Sequence, residues 1–381
     1  MKIGIVCYPT YGGSGVLATE LGKSLAESGH QVHFITYSQP VRLEHYGSNL
    51  YFHEVNTVQY PLFEYPNYEL ALISKLVEVA RNQSLDLLHV HYAIPHAMAA
   101  YMARQILKAE GLRLPIVTTL HGTDISLVGK DATYAPSVTF SINESDAVTA
   151  VSRYLRDETY QHFSVRQDIS VIPNFIDFQR FYRRNMDHFR KAIAPEGEFI
   201  LVHTSNFRKV KRIPDIIRAF AIIREQVNAK LLLAGDGPER TTAEKLCREL
   251  GLCEDLRFLG KISAVEELLS VADVFFLPSE TESFGLSALE AMACAVPVVA
   301  SNAGGLPEVI THGRSGYIAP IGDVNALAHY ALDILQHPDT LARFREQALQ
   351  RARQFDLSNV RPLYEQVYEQ AIERTLSFTN T

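Results

Sequence analysis

Cysteine is scarce in this chain. Its four residues, Cys7, Cys247, Cys253 and Cys294, contain no C-x-x-C pair and match no zinc-ligand spacing, which excludes a disulfide framework and leaves reduced thiols as the expectation. Long apolar runs are also missing. VTAV near Val148 and VFFLP around Phe275 fall far short of the roughly 20 residues that cross a bilayer, so an integral membrane protein is not expected. Positive charge is in deficit, with 36 Lys plus Arg against 43 Asp plus Glu and a net charge of −7. That balance argues against a nucleic-acid binder driven by phosphate attraction, and any anionic ligand must meet a local basic site. No cationic leader with an apolar core and a small-residue cleavage site precedes the first apolar run at Lys2, so the expected location is the cytoplasm. Neither an internal repeat nor a low-complexity tract is visible.

What is present is ordinary globular composition over 381 residues, 47 % hydrophobic and 21 % charged, long enough for two separate cores. Short Val- and Ile-rich runs alternate with segments of helical period, the pattern of α/β architecture with parallel sheets. In the first half we expect strands at Ile3–Val6, Val32–Thr36, Leu85–His91, Ile116–Leu120 and Ala147–Val151. In the second half they fall at Phe199–Thr204, Lys230–Ala234, Leu256–Leu259, Val274–Leu277 and Val298–Ala300, with helices near Pro214–Gln226, Glu239–Leu250 and Phe284–Ala295. Asp168–Phe181 carries a Pro and no long helical period, which suits a link. The expected division is therefore a first domain over 1–168, a second over 169–360 and a C-terminal helix over 361–381 that is free to cross back to the first.

Three segments carry chemistry. The first strand runs into PTYGGSGVLATELG, a glycine-rich turn feeding a helix, where backbone N–H groups can approach an anion closely. Gly13, Gly15 and Ala18 satisfy a dinucleotide fingerprint, but Tyr37, Ser38 and Gln39 follow the second strand where a ribose-binding acid is required, which counts against a nicotinamide dehydrogenase. A tight turn with no ligand remains open for these glycines. SNFRKVKR, Ser205 to Arg212, places four cations at the C-terminal end of a strand, where a diphosphate would be bound, with Lys211 the main candidate; a solvated basic loop is the alternative. GDGPER at Gly235 is a second turn of the same kind.

The third segment, ETESFGLSALEAMACAVPVVAS, spaces Glu282 and Glu290 eight residues apart around a turn and a helix start. Carboxylates accept hydrogen bonds from vicinal sugar hydroxyls, and loop N–H groups beside them suit phosphate; two ordinary surface glutamates are the alternative. His89 and His91 share one face of a strand, but with no third ligand in view a metal site is not expected there. Glu144-Ser145-Asp146 is a lookalike of a diphosphate-metal motif, so neither a metal nor another cofactor is called for.

GGSG after the first strand, HGTD at His121, IPNFID, SNFRKVKR, GDGPE and the run from Glu282 to Ile310 resemble the retaining glycosyltransferases of GT-B fold with an E-x7-E signature, over almost the whole chain. The resemblance implies two Rossmann-like doubly wound domains facing a central cleft, with the nucleotide sugar held mainly by the second and the acceptor by the first. It implies Lys211, Asn206 and Arg208 at the diphosphate, Glu290 at the ribose and Glu282 at the sugar ring. Backbone N–H groups of Phe284, Gly285 and Leu286 would cradle phosphate, and Gly13 and Gly15 would approach it from the first domain. His121, with Lys211 and Glu282, would lie at the reacting centre and position the donor sugar. One departure is Ala295, where the family usually has Gly. CYPTYGGSG, HVHYAIPHA and TTLHGTDIS are most similar to the branch of bacillithiol biosynthesis, which implies UDP-N-acetylglucosamine as donor, L-malate as acceptor and retention by front-face displacement. Ser14, Tyr92 and Thr119 would then hold the acceptor, with Arg42 a further candidate. A relative with an inositol phosphate, sugar or lipid acceptor, or a silent sugar-nucleotide-binding module, is the alternative, and a homo-oligomer is compatible with either.

Overall fold

Strands apolar on both faces need cover on both sides, and the chain meets that need twice. The computed structural model describes residues 1–10, 12–43, 47–57, 67–129 and 131–377. They form two units, one from Met1–Asn174 together with the segment that begins at Leu357, the other Phe175–Asp356.

The first unit holds β1 (Lys2–Val6), β2 (Gln31–Thr36), β3 (Leu50–Glu54), β4 (Leu87–His91), β5 (Ile116–Leu120), β6 (Ala147–Ala150) and β7 (Ile169–Val171), in the order β3-β2-β1-β4-β5-β6-β7. All its strand pairs are parallel; Ile3 lies between Val32 and Leu87. Buried Leu72, Leu76, Leu88, Val90, Ala103 and Ile116 fill one core face. The C-terminal helix, Leu357–Ser377, packs against the helix Gly13–Glu27 and against β5 and β6, with Tyr364 and Tyr368 buried.

The second unit holds β8 (Phe199–Ser205), β9 (Ala229–Gly235), β10 (Leu256–Gly260), β11 (Val274–Leu277), β12 (Val298–Ser301) and β13 (Gly316–Ala319), in the order β10-β9-β8-β11-β12-β13 and again parallel. The helix Ile213–Arg224 buries Ile216, Ile217, Phe220 and Ile223 in its core.

Three strands, β3, β7 and β13, are additional to those expected, and all are sheet edges. The reading of Asp168–Phe181 as a link is corrected in its first part, because Ile169–Val171 pairs with β6. Gly316 is fixed by the ladder itself: a Cβ there would meet Val298 O at 2.1 Å.

Candidate active site

In an open parallel sheet, ligands gather beyond the carboxyl ends of the strands where the strand order reverses. The first sheet reverses between β1 and β4, the second between β8 and β11.

In the first unit, β1 leads into the turn before the helix Gly13–Glu27; Tyr11 of that turn lies outside the described residues. A Cβ on Gly15 would meet Tyr8 O at 2.3 Å and Thr10 O at 2.6 Å, so the turn alone demands this glycine. Gly13 is the first helical residue. Tyr92, just past β4, has φ 84°, a region that ordinarily costs a non-glycine residue on the order of 1–3 kcal/mol. Bonds at both ends of the residue hold it there: its N–H donates to Thr119 O at 2.9 Å and its hydroxyl to Ser14 Oγ at 2.8 Å. Burial pushes the Tyr92 phenol up to about 12, so it stays a neutral donor. Its ring lies 5.2 Å from that of His121. Ser14, Tyr92 and His121 are thus brought together.

Thr119 is placed differently. It is fully buried, and its hydroxyl bonds to His89 Nε2 and Thr149 Oγ1, each at 2.7 Å. A side chain so engaged orients strands and is not offered to a ligand. Arg42 faces Glu20 at 3.9 Å.

His89 and His91 share a face of β4, with ring centroids 4.4 Å apart. Tyr368 OH lies 2.7 Å from His89 Nδ1, and His91 Nδ1 lies 2.8 Å from His121 Nε2. Desolvation lowers the His89 and His121 pKa values to about 3 and that of His91 well below the ordinary imidazole range, so all three are neutral near pH 7. No three His, Cys, Asp or Glu among the described residues are grouped to hold a metal ion. The loop carrying His121 is fastened by Asp124, whose carboxylate accepts from Ala93 N at 2.9 Å and Gly122 N at 3.1 Å. Burial nevertheless pushes Asp124 up to about 6. Asp146 of the metal-motif lookalike is structural, bonded to Arg104 Nη1 at 2.9 Å and Ile116 N at 2.8 Å.

In the second unit, the segment after β8 is locked by Phe207. Its φ of 38° costs about 1–2 kcal/mol, but the ring is fully buried in the core, which returns about 1.5–3 kcal/mol. Burial wins, and the backbone beside it is held in place. Gly235 and Gly237 approach so closely that a Cβ would meet Ser205 O at 1.7 Å or Asn206 O at 2.1 Å, and Glu239 N donates to Phe207 O at 2.9 Å. Asn206 and Arg208 are exposed on this fixed backbone.

Lys211 ends the short turn Lys209–Lys211, and its ammonium donates to Glu282 Oε1. Ser279 Oγ donates to the same carboxylate oxygen at 2.9 Å. Glu280 N bonds Val210 O at 2.8 Å, and the Arg212 guanidinium reaches both Glu280 and Asp215. The loops after β8 and β11 are therefore sewn together on either side of the order reversal. Phe284 is buried, and Gly285, at φ 99°, precedes the helix Leu286–Ala293. A Cβ on Gly285 would meet Leu306 at 2.4 Å. Leu286 opens that helix, where the N–H groups of Ala288 and Leu289 already bond Gly285 O at 3.0 and 3.2 Å; Glu290 lies one turn further, half-buried. A separate depression in the first unit, lined by Pro136, Thr139, Phe140 and Arg166, contains none of these residues.

Family models for group 1 glycosyl transferases and for glycosyltransferase family 4 match residues 185–351 and 11–180. N-acetyl-alpha-D-glucosaminyl L-malate synthase of Bacillus anthracis is 48 % identical over 97 % of this chain and 96 % of its own. The chain belongs to the glycosyltransferases. The D-inositol 3-phosphate glycosyltransferase of Pseudarthrobacter chlorophenolicus is 27 % identical over 81 % of this glycosyltransferase and 78 % of its own length. Among solved structures, Anabaena HepE in complex with UDP and glucose superimposes with TM-score 0.82 at 22 % identity, covering 97 % of this chain and 99 % of that one. Sucrose-phosphate synthase of Thermosynechococcus elongatus gives 0.79 at 22 % identity, over 98 % and 100 %. The fold of the glycosyltransferase is GT-B. No helix among its described residues is long and apolar enough to cross a membrane.

Sequence reasoning did not single out Ser279, Glu280 or Asp124 as organisers of these loops. Asp124 had a signal, an acid two residues past a glycine at a strand end; Ser279 and Glu280 show their role only when the loops after β8 and β11 meet.

Proposed function

We propose that the glycosyltransferase moves N-acetylglucosamine from UDP-N-acetylglucosamine to the hydroxyl of L-malate. The observation that carries this reading is the 48 % identity with the Bacillus anthracis L-malate synthase over nearly the full length of both chains. In the proposed step the malate hydroxyl oxygen bonds to the anomeric carbon as the bond to the UDP oxygen breaks. The hydroxyl proton passes to the departing phosphate on the same face, so configuration is retained.

Lys211 meets the charge that develops on the departing diphosphate, and its pairing with Glu282 holds it ready for that charge. Asn206, Arg208, Gly13, Gly15 and the N–H groups of Phe284, Gly285 and Leu286 are proposed at the phosphates, Glu290 at the ribose and Glu282 at the sugar hydroxyls. Ser14 and Tyr92, already bonded to each other, are proposed at the acceptor, while Thr119 supports them from behind, its carbonyl accepting the Tyr92 N–H. His121 is proposed at the donor sugar. A neutral imidazole held at about 3 is a poor general base, which supports a positioning role.

The test is steady-state UDP release with L-malate, D-malate, lactate, glycerol 3-phosphate and inositol phosphate at one donor concentration. L-malate is expected to exceed lactate by well over tenfold, because a site built for a second carboxylate leaves polar groups unmatched when that carboxylate is missing. Equal rates with lactate, or a phosphorylated acceptor preferred, would overturn the malate assignment and leave the transferase assignment standing.

A further inference from the structure

We propose that His91 is a positioning residue that fixes the tautomer of His121, so that His121 presents a neutral Nδ1–H donor at the nitrogen turned away from His91. The two ring nitrogens in contact, His91 Nδ1 and His121 Nε2 at 2.8 Å, must share one proton. Both rings are desolvated and neutral, so an imidazolium between them is excluded near pH 7. Two assignments remain.

If His121 Nε2–H donates, neutral His91 carries its proton on Nε2. That atom is buried and without a hydrogen-bond partner. An N–H orphaned in the interior costs about 1–3 kcal/mol, and such groups are rare in folded proteins. If His91 Nδ1–H donates instead, the orphan is only a bare ring nitrogen and no buried donor is stranded. The surroundings leave His91 no other way to satisfy an Nε2–H. His89 is committed at both nitrogens, to Tyr368 and Thr119, and His96 uses its Nδ1 on the carbonyl of His91 itself at 2.6 Å.

The chemical consequence concerns what His121 can recognise. A donor at Nδ1 complements a hydroxyl or phosphate oxygen acting as acceptor, and it cannot take up a proton from the attacking hydroxyl. This rests on the proposed placement of His121 beside the donor sugar, and it adds the sense of the hydrogen bond and the residue that sets it.

Two-bond proton–nitrogen correlation spectra of the full-length protein labelled with 15N-histidine read the tautomer directly, with His121 assigned by its disappearance in His121→Gln. The expected pattern has His121 protonated at Nδ1 and bare at Nε2. His91→Asn retains an N–H donor at the Nδ1 position and should keep both that pattern and turnover to within about threefold, whereas His91→Phe should mix the tautomers and lower kcat on the order of tenfold or more. The KM for the UDP-sugar should stay nearly constant in both. Protonation of His121 at Nε2 in the wild-type spectrum overturns the proposal, as does equal loss in folded His91→Asn and His91→Phe. The wild-type spectrum decides the tautomer even if neither variant folds. Should the wild-type enzyme turn over no sugar donor, the transferase assignment fails on its own, separately from the tautomer.

Discussion

Ala295, just past the helix Leu286–Ala293, is itself left-handed, at φ 54°. Val296 N donates to Ala291 O and Ala295 N to Met292 O, both at 3.0 Å, the double-bonded helix end in which glycine normally supplies the positive φ. The methyl costs about 1–2 kcal/mol in that conformation, partly offset because alanine loses less chain entropy on folding than glycine. Ala295→Gly should therefore stabilise the second unit by about 0.5–1 kcal/mol, read as a raised urea midpoint with an unchanged slope; a lowered midpoint would show that the methyl packs usefully. The motif comparison located this position but not its cause, since a backbone dihedral has no letter of its own. Thr119 illustrates the same limit. Its type and place at a strand end suit a ligand, and only the burial of its hydroxyl between His89 and Thr149 shows that it serves the interior.

Among elements, most strands legible in the sequence are buried on both faces and so continuously apolar; the edge strand β10 is half exposed and stood out by Leu256, Phe258 and Leu259. The three that escaped, β3, β7 and β13, have one neighbour each, and LYFHE and ISV are too polar or too short to stand out. The C-terminal helix was legible as a helix free to return to the first domain, and the particular side chains it meets there were not. Tyr368 inserts from it to bond His89 Nδ1 at 2.7 Å in a fully buried setting. Tyr368→Phe keeps the ring and strands that nitrogen, at a cost of ~2 kcal/mol. The expected outcome is a lower thermal midpoint with native circular dichroism at room temperature; an unchanged midpoint would mean that another group satisfies His89.

For the molecule as a whole, acid should be the weak side. His33, His89, His91, His96 and His203 are buried, and desolvation lowers each pKa, to about 4 for His33, His96 and His203 and about 3 for His89. The unfolded chain binds their protons below about pH 6.5 while the folded chain refuses them down to roughly 4, so stability falls with pH across that window, by up to ~1.4 kcal/mol per histidine per pH unit. Asp124 and Asp146 have raised pKa values and act in the opposite sense, but His53 and His121 are lowered as well, and the histidines outnumber them. Of these histidines all but His203 belong to the first unit, so urea midpoints at pH 7.5, 6 and 5, followed by hydrogen exchange, should show that unit opening first; equal midpoints would refute the assignment. The division of the chain has one more consequence, for biosynthesis. Phe175–Asp356 is an insertion between two parts of the first unit, and its own ends meet where Ile176 N bonds Phe355 O at 2.9 Å. As the polypeptide leaves the ribosome at ~5–20 residues per second, the inserted unit is complete before Tyr364 and Tyr368 are made. The unit begun first is thus the last to close, and a nascent chain ending near residue 356 has the whole sequence of the second unit while still lacking the final helix of the first.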